Sequence, residues 1–200
     1  MPDFFNPEEE VTKRQHKLPH WQQGDVWIFL TYRLADSLPE AILTKWRGDR
    51  DQWLQHHPKP WDDATEDEYH ERFSQTIDQW LDQGHGSCLL RDPENSRIVA
   101  EAFEHFDGDR YQLASYVVMP NHVHLLFRTL GERRLSDLVH TWKRFTAREI
   151  NRREGQQGAL WQPDYWDRLI RSQPHFDWVQ RYIRQNPQNL PTRTFRLWAP

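Results

Sequence analysis

The sequence predicts an α+β protein in which helices pack on an antiparallel sheet. Strand-like and helix-like segments alternate along the chain. Tyr116-Val117-Val118-Met119-Pro120-Asn121-His122-Val123-His124-Leu125-Leu126-Phe127 reads as strand, tight turn and strand, which forces antiparallel pairing. Val26–Arg33 is an unbroken β-branched and aromatic run, as expected of a strand buried on both faces.

The elements follow in order. Residues 1–20 read as a polar lead-in to the Val26–Arg33 strand. Ser37-Leu38-Pro39-Glu40 opens a helix, with Ser37 as its expected cap. Residues 47–67, rich in Trp, His, Pro and acid, are the least regular part and read as an insertion. A helix over 66–83 carries Tyr69, Phe73, Ile77, Trp80 and Leu81 at helical spacing. Gly84-His85-Gly86 ends it, and Ser87–Arg91 reads as a short strand. Asp92-Pro93 starts a helix with Val99, Phe103 and Phe106 on one side. After the hairpin, a helix over 131–154 carries an apolar stripe from Leu135 to Ile150. Tyr165–Ile170 is the last expected strand. Pro174–Gln185 is the last expected helix, stopped by Asn186-Pro187.

Length favours one domain over 1–200. One cysteine, Cys88, excludes a disulfide framework and suits a reducing cytosol. Met1–Glu10 is acidic without an apolar run, so no signal peptide is expected, and no segment reads as a membrane span. The expected location is cytoplasmic. The net charge of −4 is unevenly spread: residues 128–200 hold 14 Lys+Arg against 7 Asp+Glu. That excess suits a polyanion site and equally an ordinary solvated face.

His122 and His124 lie two apart on one strand, so both point to one face, while Val123, Leu125 and Phe127 take the other. Such a pair fits a divalent-metal site, half of a zinc site, or a solvated strand face. With Cys88 lacking a partner, imidazole and oxygen ligands are expected, which suit Mg²⁺ or Mn²⁺ as well as zinc. In the last helix His175, Trp178, Tyr182 and Asn186 form one stripe. Tyr182 and Asn186 read either as nucleophile and metal ligand or as edge-of-core packing and a helix end.

MPNHVHLLF (119–127) followed by YIRQNP (182–187) resembles the single-tyrosine HUH transposases. FLTYRLADSLP (29–39), TWKRFTAREINR (141–152) and ALWQPDYWDRLIR (159–171) are similar to their REP-associated branch. The resemblance runs from Val26 to Asn189. It departs at Gln188-Asn189-Leu190 and in 47–67. It implies a ferredoxin- or RRM-like sheet of the HUH endonuclease kind, with His122 and His124 binding a divalent metal ion, Mg²⁺ or Mn²⁺. It also implies Tyr182 as nucleophile and Asn186 as the residue completing the metal site.

The implied substrate is single-stranded DNA beside a REP hairpin, cleaved and rejoined through a 5′-phosphotyrosine, and the implied location is at the nucleoid. Lys143, Arg144, Arg148 and Arg171 are candidates for backbone phosphates, each also explicable as a solvated charge. Trp142 and Trp161 are candidates for base stacking or for core. Monomer and homodimer both fit. The competing functions are an idle hairpin-binding module and a zinc hydrolase.

Overall fold

The structure, a computed structural model, describes residues 4–15, 19–58 and 61–200. Parts of the 1–20 lead-in and of the 47–67 insertion, namely 1–3, 16–18 and 59–60, lie outside the described residues. The chain divides into two compact units, 1–35 with 89–200, and 36–88.

The first unit is built on a five-stranded antiparallel sheet. It comprises β3 (Trp27–Arg33), β4 (Tyr111–Val118), β5 (His122–Thr129), β6 (Trp166–Leu169) and β7 (Arg196–Trp198), in the order β6-β3-β5-β4-β7. The histidine strand β5 is therefore the middle one, with β3 paired along seven residues on one side and β4 on the other. A separate two-stranded ladder, β1 (Thr12–Gln15) with β2 (Pro19–Gln22), occupies what the sequence presents as a plain lead-in.

One face of the sheet carries Ile28, Leu30, Tyr32, Val123, Leu125 and Phe127. Against it pack Val99 and Phe103 of α4 (Pro93–Glu104) and Leu138, Val139 and Trp142 of α5 (Leu135–Glu154). The opposite face carries Val117 and Leu126 and is covered by Val179 and Ile183 of α6 (Gln173–Gln185). In β4 the side-chain phase changes partway. Tyr111 and Leu113 face the first core, then Tyr116 and Val118 do, because the β4–β5 register shifts between Leu113 and Ser115. One extra residue in a ladder has this effect on alternation.

Several local expectations are corrected. Cap Ser37 lies outside the helix: α1 runs Glu40–His56 with Pro39 at its start and no side-chain cap. Proline disfavours helical geometry in the residue before it, so the first turn cannot begin earlier. Residues 47–56 are helical, since Leu43, Trp46, Arg50 and Trp53 bury one face of α1. The 66–83 helix is α2 (Asp63–Tyr69), a π-helical turn over His70–Ser74, and α3 (Gln75–Asp82). Leu89–Arg91 is a single 3₁₀ turn where a strand is expected. The strand β7 after α6 is an addition that three residues could not announce.

The second unit, 36–88, buries Leu38, Leu43, Trp46, Trp53, Phe73, Ile77 and Leu81, with the Phe73 ring meeting both Trp46 and Trp53. Its ends meet: the Ser87 N–H donates to Asp36 Oδ2 at 2.7 Å. Gly86 has φ +84°, and a Cβ there would sit 2.5 Å from the Asp36 carbonyl oxygen. Within the first unit the chain departs and returns at adjacent residues. Leu34 N–H donates to Asn121 O (2.8 Å) and Leu90 N–H to Pro120 O (3.1 Å), both in the turn before His122.

Candidate active site

Both histidines project from β5 toward α6 and are fully buried. Each imidazole is held by its Nδ1. His122 Nδ1 lies 2.8 Å from Asn121 Oδ1, and His124 Nδ1 lies 2.7 Å from Thr31 Oγ1 on β3. The two Nε2 atoms converge to 3.1 Å. Asn121 Oδ1 only accepts, so His122 carries its proton on Nδ1 and turns an Nε2 lone pair inward. The Thr31 hydroxyl donates or accepts, so it serves His124 in either tautomer. Burial pushes His122 down to about 3 and His124 well below its ordinary value, the second aided by His122 beside it. At neutral pH both imidazoles are uncharged, as metal ligation requires.

The helix that faces them is fixed at both ends and along one side. Ser172 Oγ accepts from the His175 N–H at 3.3 Å, with Pro174 in the first turn. Val179 and Ile183, fully buried, anchor it, each burial worth roughly 1.5–3 kcal/mol. The neighbouring stripe then falls over the histidines. Tyr182 Oη lies 3.5 Å from His124 Nε2, at the outer limit of a hydrogen bond. Phe29 stacks on His124 (centroids 5.5 Å) and meets Tyr182 edge-on (5.9 Å). Asn186 closes α6, its N–H donating to Tyr182 O, and its Oδ1 is buried with no hydrogen-bond partner among the described residues.

These residues fit a divalent ion. The two Nε2 atoms converge to 3.1 Å and would serve as a nitrogen donor pair, and Asn186 offers a buried oxygen without a hydrogen-bond partner among the described residues on the tyrosine helix. Among the described residues no three His, Cys, Asp or Glu side chains gather as a metal cluster.

The candidate DNA contacts fare differently. Lys143 is half-buried, and its ammonium donates to three backbone carbonyls, Gln162 (2.9 Å), Pro163 (3.1 Å) and Asp164 (2.9 Å). That uses all three N–H groups, so Lys143 ties the loop before β6 to α5 and leaves nothing for a phosphate. Burial lowers its pKa to about 7, while the three acceptors favour the charged form. Arg144 and Arg148 are exposed on α5, Arg148 pairing with Glu149 at 2.9 Å. Arg171 lies over the Phe5 ring at 5.5 Å. Trp142 and Trp161 are core residues, 2 % and 5 % exposed, with little ring surface to offer a base.

Four residues that sequence reasoning missed share the histidine face or its turn. Thr31 and Asn121 hold the imidazoles, as above. Arg33, buried on β3, sits opposite His122 in the ladder, with its guanidinium 5.9 Å from the Trp166 ring of β6. Arg168, two residues on from Trp166, pairs with Phe29. A cation two positions beyond Thr31 on an otherwise apolar strand was the one available signal for Arg33.

The fold and site together define an α+β protein whose central strand presents a histidine pair to a tyrosine helix. Residues 90–186 match the model of the family described as IS200-like transposase. Over those residues, which include His122, His124, Tyr182 and Asn186, the chain is similar to that family. Among solved structures it is similar to a REP-associated tyrosine transposase bound to a REP hairpin. That likeness has a TM-score of 0.41 and 16% identity, covering 84% of this chain and 72% of the other. It is also similar to a candidate transposase from Deinococcus radiodurans R1, with a TM-score of 0.33 and 18% identity, covering 82% and 93%. No curated protein matches the sequence significantly. No described helix is long and apolar enough to cross a membrane.

Proposed function

We propose that this chain cleaves and rejoins single-stranded DNA at REP-type hairpins, through a covalent 5′-phosphotyrosine on Tyr182. The observation that carries the reading is the meeting of Tyr182 Oη with His124 Nε2 (3.5 Å) beside two converging imidazole nitrogens. Packing alone does not require two buried, uncharged histidines aimed at one point under a tyrosine.

His122, His124 and Asn186 hold a divalent ion, Mg²⁺ or Mn²⁺, which when bound supplies Lewis-acid neutralisation of the scissile phosphate. Tyr182 Oη forms a bond to phosphorus, the P–O3′ bond breaks, the phenol gives up its proton and the 3′ oxygen takes one up. A 3′-hydroxyl reverses the exchange later, so strands are joined without another energy source. Thr31 and Asn121 keep the imidazoles oriented throughout, and the cover of α6 keeps bulk water from the histidines.

The test is a covalent adduct. Purified protein is incubated with Mn²⁺ and single-stranded REP-type hairpin oligonucleotides, then run on a denaturing gel. Wild type gives a shifted protein–DNA band, Tyr182→Phe gives none, and His124→Ala gives none while binding the hairpin within a few-fold of wild type. An adduct that survives in Tyr182→Phe removes the nucleophile assignment. Hairpin binding with no adduct in wild type identifies an idle binding module. Tightly held Zn²⁺ with turnover but no linkage identifies a hydrolase.

A further inference from the structure

We propose that Trp178 is a stacking platform for an unpaired DNA base next to the phosphate that Tyr182 attacks. The inference rests on the function proposed above and names how the substrate is gripped on the solvent side of the nucleophile.

Trp178 is the most exposed large apolar side chain among the described residues, at 46 %. It is also not a stray surface residue. It stands one turn before Tyr182 on α6, and the two rings lie nearly parallel, 13° apart with centroids at 5.7 Å. Tyr182 thus lies between Phe29 and His124 on its inner side and Trp178 on the outer, a row of rings running from the imidazole pair to solvent. An indole left in water while so aligned extends a stack that a nucleobase can continue, and every base offers a π-face.

The charge around it suits the same occupant. Arg181, three residues on and exposed, makes no ion pair among the described residues, which leaves its charge available to a phosphate. Asp177, the adjacent acid, is engaged by Gln173 Nε2 at 2.8 Å. A base inside a duplex cannot reach the platform, because both of its faces are already stacked. A protein partner seated on Trp178 would cover the approach to Tyr182. A single unpaired nucleotide satisfies both limits.

The test is a cycle between protein and substrate. An oligonucleotide that wild type converts to the covalent adduct is remade with one abasic site at each position from three before to three after the cut. In wild type, one abasic position raises the half-saturating concentration roughly 5- to 150-fold, the measured range for loss of a base–aromatic stack. In Trp178→Ala the intact oligonucleotide already shows that rise, and the same abasic site adds less than about twofold. Trp178→Phe, which keeps a ring, recovers most of the wild-type affinity and of the abasic penalty. A penalty of equal size in wild type and Trp178→Ala overturns the inference, as does the absence of any abasic position that matters. If wild type forms no adduct on any oligonucleotide, the proposed function falls first and this platform with it.

Discussion

Thr31 decides how the histidine pair behaves. His122 is committed to Nδ1–H by Asn121. For both converging Nε2 atoms to be bare, as metal ligation would require, His124 must carry its proton on Nδ1 and the Thr31 hydroxyl must accept from it. Valine at this position has the right shape and cannot accept. Thr31→Val is therefore expected to weaken Mn²⁺ binding about 10- to 100-fold, the usual cost of losing a residue that orients a ligand. Thr31→Ser stays within about threefold. Calorimetric titration of Mn²⁺ decides it, and equal affinities for Val and wild type would remove Thr31 from the site.

The same burial sets a pH dependence. Unfolded, the two imidazoles take up protons below about 6.5. Folded, His122 does so only near 3 and His124 far below its ordinary value. The unfolded state then binds more protons, so stability falls as pH drops from 6.5, by about 1.4 kcal/mol per unit for each histidine. Urea unfolding in EDTA at pH 7 and pH 5 should show a smaller loss in His122→Gln/His124→Gln than in wild type. The histidines were legible because a strand repeats every two residues. Thr31 was not, because its partnership with a residue 93 positions away exists only once the β3–β5 register is known.

At the scale of elements, α4 shows what local sequence specifies well. Asp92 Oδ1 accepts from the N–H groups of Glu94 (2.8 Å) and Asn95 (3.3 Å), with Pro93 in the first helical position. Its other oxygen takes Arg153 of α5 at 3.2 Å, joining the two helices over one core face. Asp92→Ala should cost about 1–2 kcal/mol, which lowers Tm by roughly 2–8 °C in a chain of this size. Asp92→Asn keeps the cap and should recover most of it, since the Arg153 contact is half exposed and weak. A calorimetric scan showing Asn as damaging as Ala would assign the stability to the ion pair instead.

Asp-Pro before an apolar stripe has one reading, which is why α4 was visible. Ser37 failed as a cap because Pro39 forbids the turn it would have started. The strand β7 and the phase change in β4 were invisible for a common reason. Both depend on what a neighbouring strand offers, and neither Arg196–Trp198 nor Leu113–Ser115 has a pattern of its own.

Across the whole molecule, the division into two units changes the meaning of the net charge. Residues 36–88 hold 5 Lys+Arg against 12 Asp+Glu, so the rest of the chain holds 21 against 18. The −4 overall therefore conceals a unit carrying every functional candidate with an excess of cations, beside a strongly acidic one. Sequence alone located the basic excess after residue 127. It could not locate the acidic one, because the limits of the second unit follow from its own packing and from the return of the chain to the Pro120-Asn121 turn.

A polyanion bound by the first unit releases counterions, and each phosphate neutralised on single-stranded DNA contributes about −0.7 to the slope of log K against log salt. Three or four engaged cations, with Arg144 on α5 among them, give a slope of about −2 to −3. Anisotropy of a labelled hairpin oligonucleotide between 50 and 300 mM NaCl measures it. Arg144→Gln should make the slope shallower by about 0.7 and weaken binding alike for different base sequences, because a phosphate contact positions DNA without reading it. A wild-type slope shallower than −1 would mean that binding is not electrostatic, and the basic surface of α5 would then face only solvent.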